Sequence, residues 1–238
     1  MTKDILYAVE IENAYLEKKL AGDNSVILYD EIKKCGFATL NEYFDLKREY
    51  LFSCLDFTFV EQTPKNCIAE LWKIINDNVT EVCFVETQEL TVYSCRSKPY
   101  NEEFCKNNNI TVIDVPSGGG TIISNKGDIV IAIGVASKLR IDSTFILNNI
   151  ASILRKYMDD VVVIGNDILV NDRKVCGMST LERNGMTVCL AHFSFSNNIE
   201  MIKAICHLDG APEKYPSFIS GMDKEMLKAE VIQWLSST

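Results

Sequence analysis

The chain contains 238 residues, enough for one sizeable domain or for a domain with an appendage. Hydrophobic residues make up 47% of the chain and charged residues 24%, proportions typical of a globular protein, and no stretch approaches the roughly 20 apolar residues that span a bilayer. The formal net charge of −9 argues against nucleic acid as a partner, because phosphate binding needs clustered Lys and Arg.

Nine cysteines lie scattered through the chain as single residues, and there are only two histidines. An odd number of cysteines with no CxxC pair argues against a disulfide framework and against a zinc site. The start of the chain, residues 1–5, has no apolar core of the kind that a secretory signal needs. These features predict a protein of the reducing cytoplasm, with no membrane partner.

Residues 1–54 differ from the rest of the chain in their residue pattern, which is helical. Residues 11–20 and 40–52 are each typical of a helix, and no low-complexity linker follows them. We therefore expect residues 1–54 to form a helical N-terminal appendage, and residues 55–238 to form the main domain.

Short β-branched runs and amphipathic helices make up residues 55–238. Thr63-Pro64 is typical of a helix start, and residues 68–75 continue it with an apolar stripe. Residues 81–86 and 90–95 predict a β-hairpin. The other predicted elements are strands at 110–115, 129–134, 161–164, 168–171 and 186–195, and helices that begin near Ser143, Ile199 and Asp223. Because strict βαβ alternation is lacking, we predict an α+β fold with a mostly antiparallel or mixed sheet flanked by helices.

Two short segments about fifty residues apart stand out from this background. The first is Ser117-Gly118-Gly119-Gly120-Thr121. Its three consecutive glycines have no Cβ, so a ligand can lie directly on backbone N–H groups. The second, residues 165–177, ends a β-branched run, makes a tight turn and then presents a single lysine close to a glycine.

Together these segments resemble the active site of the biotin/lipoate protein ligase family. The pattern Asn166-Asp167-Ile168-Leu169-Val170-Asn171-x-x-Lys174-x-x-Gly177 is similar to one shared by biotin and lipoate ligases, and Ser-Gly-Gly-Gly favours lipoate. The order of elements from about residue 55 also resembles a lipoate ligase catalytic domain. The resemblance implies a class II biotin/lipoate ligase fold over residues 55–238, as the catalytic domain.

The same resemblance implies a reaction. Lipoate, or a related medium-chain acid, would be activated by ATP to an acyl-adenylate and transferred to a lysine of a carrier protein, such as a lipoyl domain or an H-protein-like carrier. Lys174 would neutralise negative charge in both half-reactions. Asn166 and Asp167 would contact the adenylate, with Asp167 as a candidate Mg²⁺ ligand. Residues 117–121 would cradle the acyl chain and phosphate, with Gly177 beside the lysine.

Two pairs of residues depart from the family pattern. An Arg pair usually precedes the Ser-Gly-Gly-Gly, and here those positions are Asp114 and Val115; a His-Asp pair usually follows it, and here Ser124-Asn125 stands there. Exchanging a cation for a carboxylate disfavours an anionic ligand nearby, so adenylation would need another cation. The candidates are Lys126, Lys138 and Arg140.

Two alternative functions stay open. The first is octanoyl or lipoyl transfer through a cysteine nucleophile. Cys206 lies 32 residues after Lys174, close to the offset of one transferase class, although a buried helix position is its more ordinary role. The second is a ligand-binding relative without catalytic activity, which the missing Arg favours.

Overall fold

The computed structural model describes residues 4–21, 28–95, 100–117, 121–139, 141–196, 199–206 and 218–236. The chain divides into two compact units, the first formed by residues 1–55 and the second by residues 56–237. Each unit has its own buried apolar core.

Three helices form the first unit: α1 (Ile5–Leu20), α2 (Leu28–Lys34) and α3 (Leu40–Ser53). The two predicted helices are confirmed, but α1 starts earlier than predicted because the Asp4 carboxylate accepts a hydrogen bond from the Tyr7 N–H and caps the helix. Helix α2 was not predicted from the sequence. Its Ile32 is fully buried with Ala8 of α1 and Tyr43 of α3, so the three helices share one core.

The second unit contains the other described elements. Its helices are α4 (Pro64–Asp77), α5 (Glu102–Asn107), α6 (Ser143–Leu154), α7 (Ile199–Cys206) and α8 (Lys224–Ser236), with a 3₁₀ turn at Ser137–Leu139. Its strands are β1 (Thr58–Gln62), β2 (Glu81–Glu86), β3 (Thr91–Cys95), β4 (Thr111–Val115), β5 (Ile122–Ser124), β6 (Ile129–Ala136), β7 (Val161–Ile164), β8 (Asp167–Val170), β9 (Arg173–Arg183) and β10 (Met186–Phe193).

The strands form two sheets within the described residues. The larger has the order β1-β2-β6-β10-β9-β8-β7, and only its β1–β2 pair is parallel. The smaller has the order β4-β3-β5, with β3 parallel to β4 and antiparallel to β5. Helix α4 covers the larger sheet with Leu71, Ile74 and Ile75, which are buried against β2, β6 and β10. The predicted α+β fold, with a mixed sheet flanked by helices, is confirmed.

The predicted hairpin of residues 81–86 and 90–95 is wrong, because β2 and β3 lie in different sheets. Strand β2 is buried along almost its whole length and pairs on both sides, with β1 and β6. Beyond it, the Thr87 backbone exchanges hydrogen bonds with Gly127 and Asp128 rather than turning back on β2. The chain therefore crosses to the smaller sheet.

Tight turns join the four strands from β7 to β10. Gly165 has φ +59° between β7 and β8, Asn171 and Asp172 have φ +50° and +59° between β8 and β9, and Asn184-Gly185 connects β9 to β10 with φ +53° and +77°. Two-residue turns with positive φ match the right-handed twist of paired strands, and Asn, Asp and Gly adopt that conformation most readily. The second sequence motif thus folds as two successive hairpins.

Among the described helices, none combines the length and the apolar character that crossing a bilayer requires.

Candidate active site

A largely apolar pocket lies in the second unit. Residues of helix α4 and of both sheets line it, and its empty volume is about 640 Å³, including space open to solvent at the mouth. The lining residues are Cys67, Ile68, Leu71, Cys83, Val85, Tyr93, Val115, Ser117, Ile122, Val130, Ala132, Ser179, Leu190 and His192. Ligand sites for small organic molecules typically have this mixture of an apolar wall and a few polar groups.

Four adjacent strands form one wall of the pocket. Cys83 on β2 is aligned with Ala132 on β6, which is aligned with Leu190 on β10, and Leu190 with Ser179 on β9. Neighbouring strands are about 4.8 Å apart, so this row extends about 14 Å from β2 to β9. The adjacent row on the same face consists of Val85, Val130, His192 and Gly177. The pocket wall therefore leads to the β8–β9 hairpin, which carries the second motif.

The β8–β9 hairpin brings Asp167, Lys174 and Gly177 together. Lys174 Nζ lies 2.7 Å from Asp167 Oδ1, and the two side chains are 33% and 29% exposed. Asp167 is also the strand partner of Gly177. An irregularity in pairing between Ile168 and Leu169 shifts the register within this hairpin. The result is a half-buried ion pair directly over the backbone of Gly177.

Asn166 occupies the turn that precedes Asp167. Its backbone carbonyl accepts a hydrogen bond from the Met178 N–H at 2.8 Å, and its Oδ1 accepts one from the Ser143 hydroxyl at 3.0 Å. Ser143 is the first residue of α6, which Asp142 caps by accepting from the Phe145 N–H. Asn166 is thus held from two sides, at the start of the strand that carries Asp167.

The first motif reaches the pocket through Ser117. This residue is buried, and its Oγ lies 3.1 Å from Ser179 Oγ, which joins the segment after β4 to the middle of β9. Thr121, just before β5, is half-buried. Gly118, Gly119 and Gly120 lie outside the described residues. Of the first motif, the structure therefore brings Ser117 to the pocket that leads to Lys174.

A buried polar network beside the pocket was missed by the sequence analysis. His192 Nε2 lies 3.1 Å from Ser124 Oγ and 3.5 Å from Asp128 Oδ2. Ser124 Oγ in turn lies 2.7 Å from Thr87 Oγ1. The available signal was a histidine inside the largely apolar strand β10. His192 places an imidazole against Ser124, which belongs to one of the two residue pairs at which the sequence departs from the family pattern.

Asp128 anchors this network. Its side chain is fully buried, and its carboxylate accepts hydrogen bonds from the N–H groups of Asn125, Phe195 and Ser196 at 2.8, 2.7 and 3.2 Å. Three backbone donors satisfy much of the hydrogen-bonding capacity of a buried carboxylate. The turn before β6 and the end of β10 are thereby fixed relative to each other.

Three further polar side chains line the pocket near the β2 end of its wall: Cys67, Cys83 and Tyr93. Burial raises the pKa of the Cys67 thiol to about 11 and that of the Cys83 thiol to about 12. Both are therefore protonated at neutral pH. Burial also raises the pKa of the nearby Tyr93 phenol, which keeps this group a neutral hydrogen-bond donor.

The residues around Lys174 offer limited support for a metal ion. Among the described residues, no three or more His, Cys, Asp and Glu side chains are grouped to hold one. Mg²⁺, however, is commonly held by one or two carboxylates together with substrate phosphates and water. Asp167 fits the part of one carboxylate ligand in a site that phosphates complete.

The positions that depart from the family pattern have different surroundings. Val115 lines the pocket, whereas Asp114 is exposed. Lys126 is exposed in the turn between β5 and β6. The Lys138 side chain and Arg140 lie outside the described part of the chain.

Cys206, the candidate nucleophile, lies at the end of α7 and packs against a cluster that includes Val92, Cys105 and Ile205. It does not belong to the residues that line the pocket. Burial raises the pKa of its thiol, whereas a thiolate nucleophile needs a lowered one. Cys176 is completely buried, and its pKa is raised for the same reason.

Residues 82–228 match the family described as the lipoyl protein ligase A/B catalytic domain. The chain belongs to this family. The match covers well over half of the chain and includes both motifs, so the family predicted from the sequence is confirmed. No match was found among curated proteins.

Solved structures of lipoate ligases share the fold of this family member. LipL1 of P. falciparum, in complex with lipoate, superposes with a TM-score of 0.65 at 12% identity over 76% of this chain and 60% of that one. This chain thus spans less than two thirds of the length of LipL1. The bi-partite lipoate protein ligase of Thermoplasma acidophilum, described with its E2 lipoyl domain, gives 0.63 at 14% identity, covering 77% and 83%.

Lipoate-protein ligase A bound with ATP gives a TM-score of 0.61 at 15% identity, covering 76% of this chain and 83% of that one. At such identities the likeness shows a common fold. The class II biotin/lipoate ligase-like architecture predicted from the sequence agrees with this result.

Proposed function

We propose that this chain is a lipoate-protein ligase that activates lipoate, or a related medium-chain acid, with ATP and transfers the acyl group to a lysine of a carrier protein. The observation that carries the proposal is the pairing of Lys174 with Asp167 over Gly177, whose strand partner His192 lines the apolar pocket. Similar solved structures are a lipoate complex, an ATP-bound ligase and a ligase described with its E2 lipoyl domain, which supports lipoate, ATP and a lipoyl domain as ligands and partner of this chain.

The first half-reaction joins two anions. A carboxylate oxygen of the acid attacks the α-phosphorus of ATP, a new P–O bond forms, and the bond to pyrophosphate breaks. Negative charge accumulates at this centre, and a preorganised cation stabilises it best in a partly dry site. Lys174 supplies that cation, with the acyl chain lying in the pocket along β9, β10, β6 and β2.

The other motif residues have supporting roles in this proposal. Ser117, Gly118, Gly119, Gly120 and Thr121 cradle the acyl carboxylate and phosphate through hydroxyl and backbone N–H groups. Asn166, held by Ser143, contacts the adenylate. Mg²⁺ carried by the triphosphate would have Asp167 as one ligand and would supply charge neutralisation for the phosphates. Gly177 leaves space for the lysine.

The second half-reaction transfers the acyl group. The amine of a carrier lysine attacks the acyl carbon, an amide bond forms, the C–O bond to AMP breaks, and the amine loses a proton. Lys174 stabilises the departing AMP phosphate. The acceptor is a lipoyl domain or an H-protein-like carrier, and the setting is the cytoplasm. Residues 55–238 are the catalytic domain in this proposal, with residues 1–54 as a helical appendage.

Two alternative functions, a cysteine transferase and a non-catalytic ligand-binding protein, require different features of the structure. A cysteine transferase needs a thiol with a lowered pKa, whereas partial burial raises the pKa of the Cys206 thiol. A ligand-binding relative needs only the pocket, and the replacement of the family's Arg pair by Asp114 and Val115 favours this reading.

Pyrophosphate release, octanoyl transfer between carriers and lipoate binding, each measured on the full chain, separate the three functions. The full chain is mixed with lipoate, ATP and Mg²⁺, and pyrophosphate release is followed with and without a lipoyl domain. A ligase releases pyrophosphate only when ATP and lipoate are both present. A transferase instead moves an octanoyl group between carriers without ATP. Lipoate binding without either reaction would identify a binding protein and overturn the proposal.

A further inference from the structure

The hydroxyl of Tyr93 is a polar group in an apolar pocket. Tyr93 lines the pocket from β3 and is only 5% exposed. Among the residues that the structure describes, none accepts a hydrogen bond from its O–H group. Leaving a buried hydroxyl unpaired is unfavourable, so such groups in native proteins usually form a hydrogen bond with the protein, with water or with a bound ligand.

Among the described residues, the neighbours of Tyr93 supply no good acceptor for its O–H group. The hydroxyl of Thr87 acts as a hydrogen-bond donor towards the phenol oxygen, which opposes the rise in the pKa of Tyr93, and Thr87 Oγ1 also lies 2.7 Å from Ser124 Oγ. The Cys67 and Cys83 thiols are also near, and protonated thiols are weak hydrogen-bond acceptors. The Tyr93 hydroxyl therefore remains a strong donor that faces the pocket.

Tyr93 lies near the β2 end of the pocket wall, away from Lys174. Cys83 is on β2, and in the row of the pocket wall it is three strands away from Ser179 on β9. Neighbouring strands are about 4.8 Å apart, so these two positions are separated by about 14 Å. Lys174 and Asp167 belong to the β9 end, whereas Tyr93 lies close to Cys83 at the β2 end. An acid whose carboxylate lies at Lys174 extends its tail towards Tyr93.

We propose that Tyr93 determines substrate specificity by donating a hydrogen bond to an acceptor atom in the distal part of the acyl chain. The inference rests on the proposed function in one respect, since the pocket must hold an acid with its carboxylate towards Lys174. The selected substrates are medium-chain acids that carry oxygen or sulfur near the far end. A saturated chain of the same length leaves the hydroxyl unpaired.

The strength of the selection depends on the acceptor. A ketone oxygen is a good acceptor, whereas sulfur is a weak one. A site built to hydrogen-bond a substrate group discriminates strongly against an analogue that lacks the group, because a buried polar group of the protein is then left unpaired. We expect the order oxo acid, lipoate and then the plain saturated acid.

The test measures binding of acids to the full chain by isothermal titration calorimetry, without ATP. The probes are octanoate, lipoate and an oxo-octanoate whose ketone lies next to the terminal methyl group. We compare the wild type with Tyr93→Phe, which removes one oxygen and keeps the ring. Tyr157→Phe is the matched control, because that tyrosine lies on the surface and bonds to Glu230.

We expect the preference for the oxo acid over octanoate, expressed as a ratio of Kd values, to fall about tenfold in Tyr93→Phe and to stay unchanged in Tyr157→Phe. An unchanged ratio in Tyr93→Phe overturns the inference. If that variant does not fold, the wild type decides: tighter binding of octanoate than of the oxo acid overturns it equally.

The outcomes also separate this inference from the proposed function. If the wild type shows the expected preference but releases no pyrophosphate with ATP, the role of Tyr93 stands and the proposed ligase reaction is overturned. If the wild type binds all three acids equally and releases pyrophosphate equally well with each, the ligase reaction stands and the role of Tyr93 is overturned. Failure to bind any of the acids overturns both.

Discussion

The ammonium group of Lys174 occupies space that only a glycine at position 177 leaves open. A β-carbon at Gly177 would lie 2.8 Å from both Cε and Nζ of Lys174, and 3.4 Å from Asp167 Oδ1. The lysine approaches the backbone of its own strand three residues further on, between that backbone and a carboxylate. Gly177 is therefore the residue that sets where the positive charge lies.

Replacement of Gly177 by alanine should reduce activity far more than stability. The β-carbon would displace the end of a flexible lysine rather than rigid backbone, so we expect a change of less than about 1 kcal/mol in the free energy of unfolding. A displacement of about 1 Å at a catalytic group can lower the rate about 100-fold. Lipoate-dependent pyrophosphate release and urea denaturation measure the two effects. Normal activity with an unchanged melting curve would contradict this role of Gly177.

Replacement of Lys174 by alanine should abolish formation of the acyl-adenylate and leave the fold intact. Loss of a group that stabilises developing charge typically lowers the rate about 100-fold or more. Arg173→Ala is the matched control, because the adjacent side chain is exposed and successive residues of a strand point to opposite faces. Circular dichroism checks the fold of both variants. Equal loss of turnover in the two would show that net charge, not the position of Lys174, is what matters.

Replacement of Asp128 by alanine should strongly destabilise the second unit. Three backbone N–H groups would lose their buried acceptor, and we expect a loss of about 3 kcal/mol or more in the free energy of unfolding. Asp142→Ala is the comparison, since it removes one exposed helix cap and should cost about 1 kcal/mol. Urea denaturation of both variants gives the difference. Similar losses would mean that the Asp128 network is not a structural anchor.

Replacement of Cys206 by serine should preserve most of the activity. Its partly buried thiol has a raised pKa, so at neutral pH it is protonated and a poor nucleophile. Alkylation of Cys206 by iodoacetamide should accelerate with rising pH and still be increasing above the ordinary thiol pKa, because the thiolate forms only there. Peptide mass spectrometry follows the labelling. An acyl thioester on Cys206 of the wild type, together with inactivity of the serine variant, would establish the transferase instead.

The parts predicted correctly from the sequence are those that local interactions determine. The strands around residues 161–171 are β-branched, and their turns use Asn, Asp and Gly, which tolerate positive φ. Asp167, Lys174 and Gly177 lie within one such hairpin, so their proximity follows from sequence spacing. The family resemblance depended on these same residues.

The parts that could not be predicted depend on packing between distant segments. The sequence gives no sign that β2 and β3 enter different sheets, because each is an ordinary strand by itself. His192 meets Ser124 only because β10 pairs with β6 and the end of β5, in the smaller sheet, lies beside His192. Tyr93 and Cys83 likewise become neighbours through tertiary structure alone. The sequence pattern therefore could not reveal the pocket. It did reveal the β8–β9 hairpin, to which the pocket wall leads.

The order of the strands along the chain has a consequence for how the molecule assembles. From β7 to β10, each strand pairs with the next one in sequence through a turn of two residues, so these contacts close very short loops. The β2–β6 pair, by contrast, joins Glu86 to Ile129, and the segment between these residues in the chain contains all three strands of the smaller sheet. Local hairpins form within microseconds, whereas distant pairings are slower. During folding, Asp167 and Lys174 therefore meet before the cavity they face has closed, and amide protons of β8 and β9 should become protected from exchange ahead of those of β2.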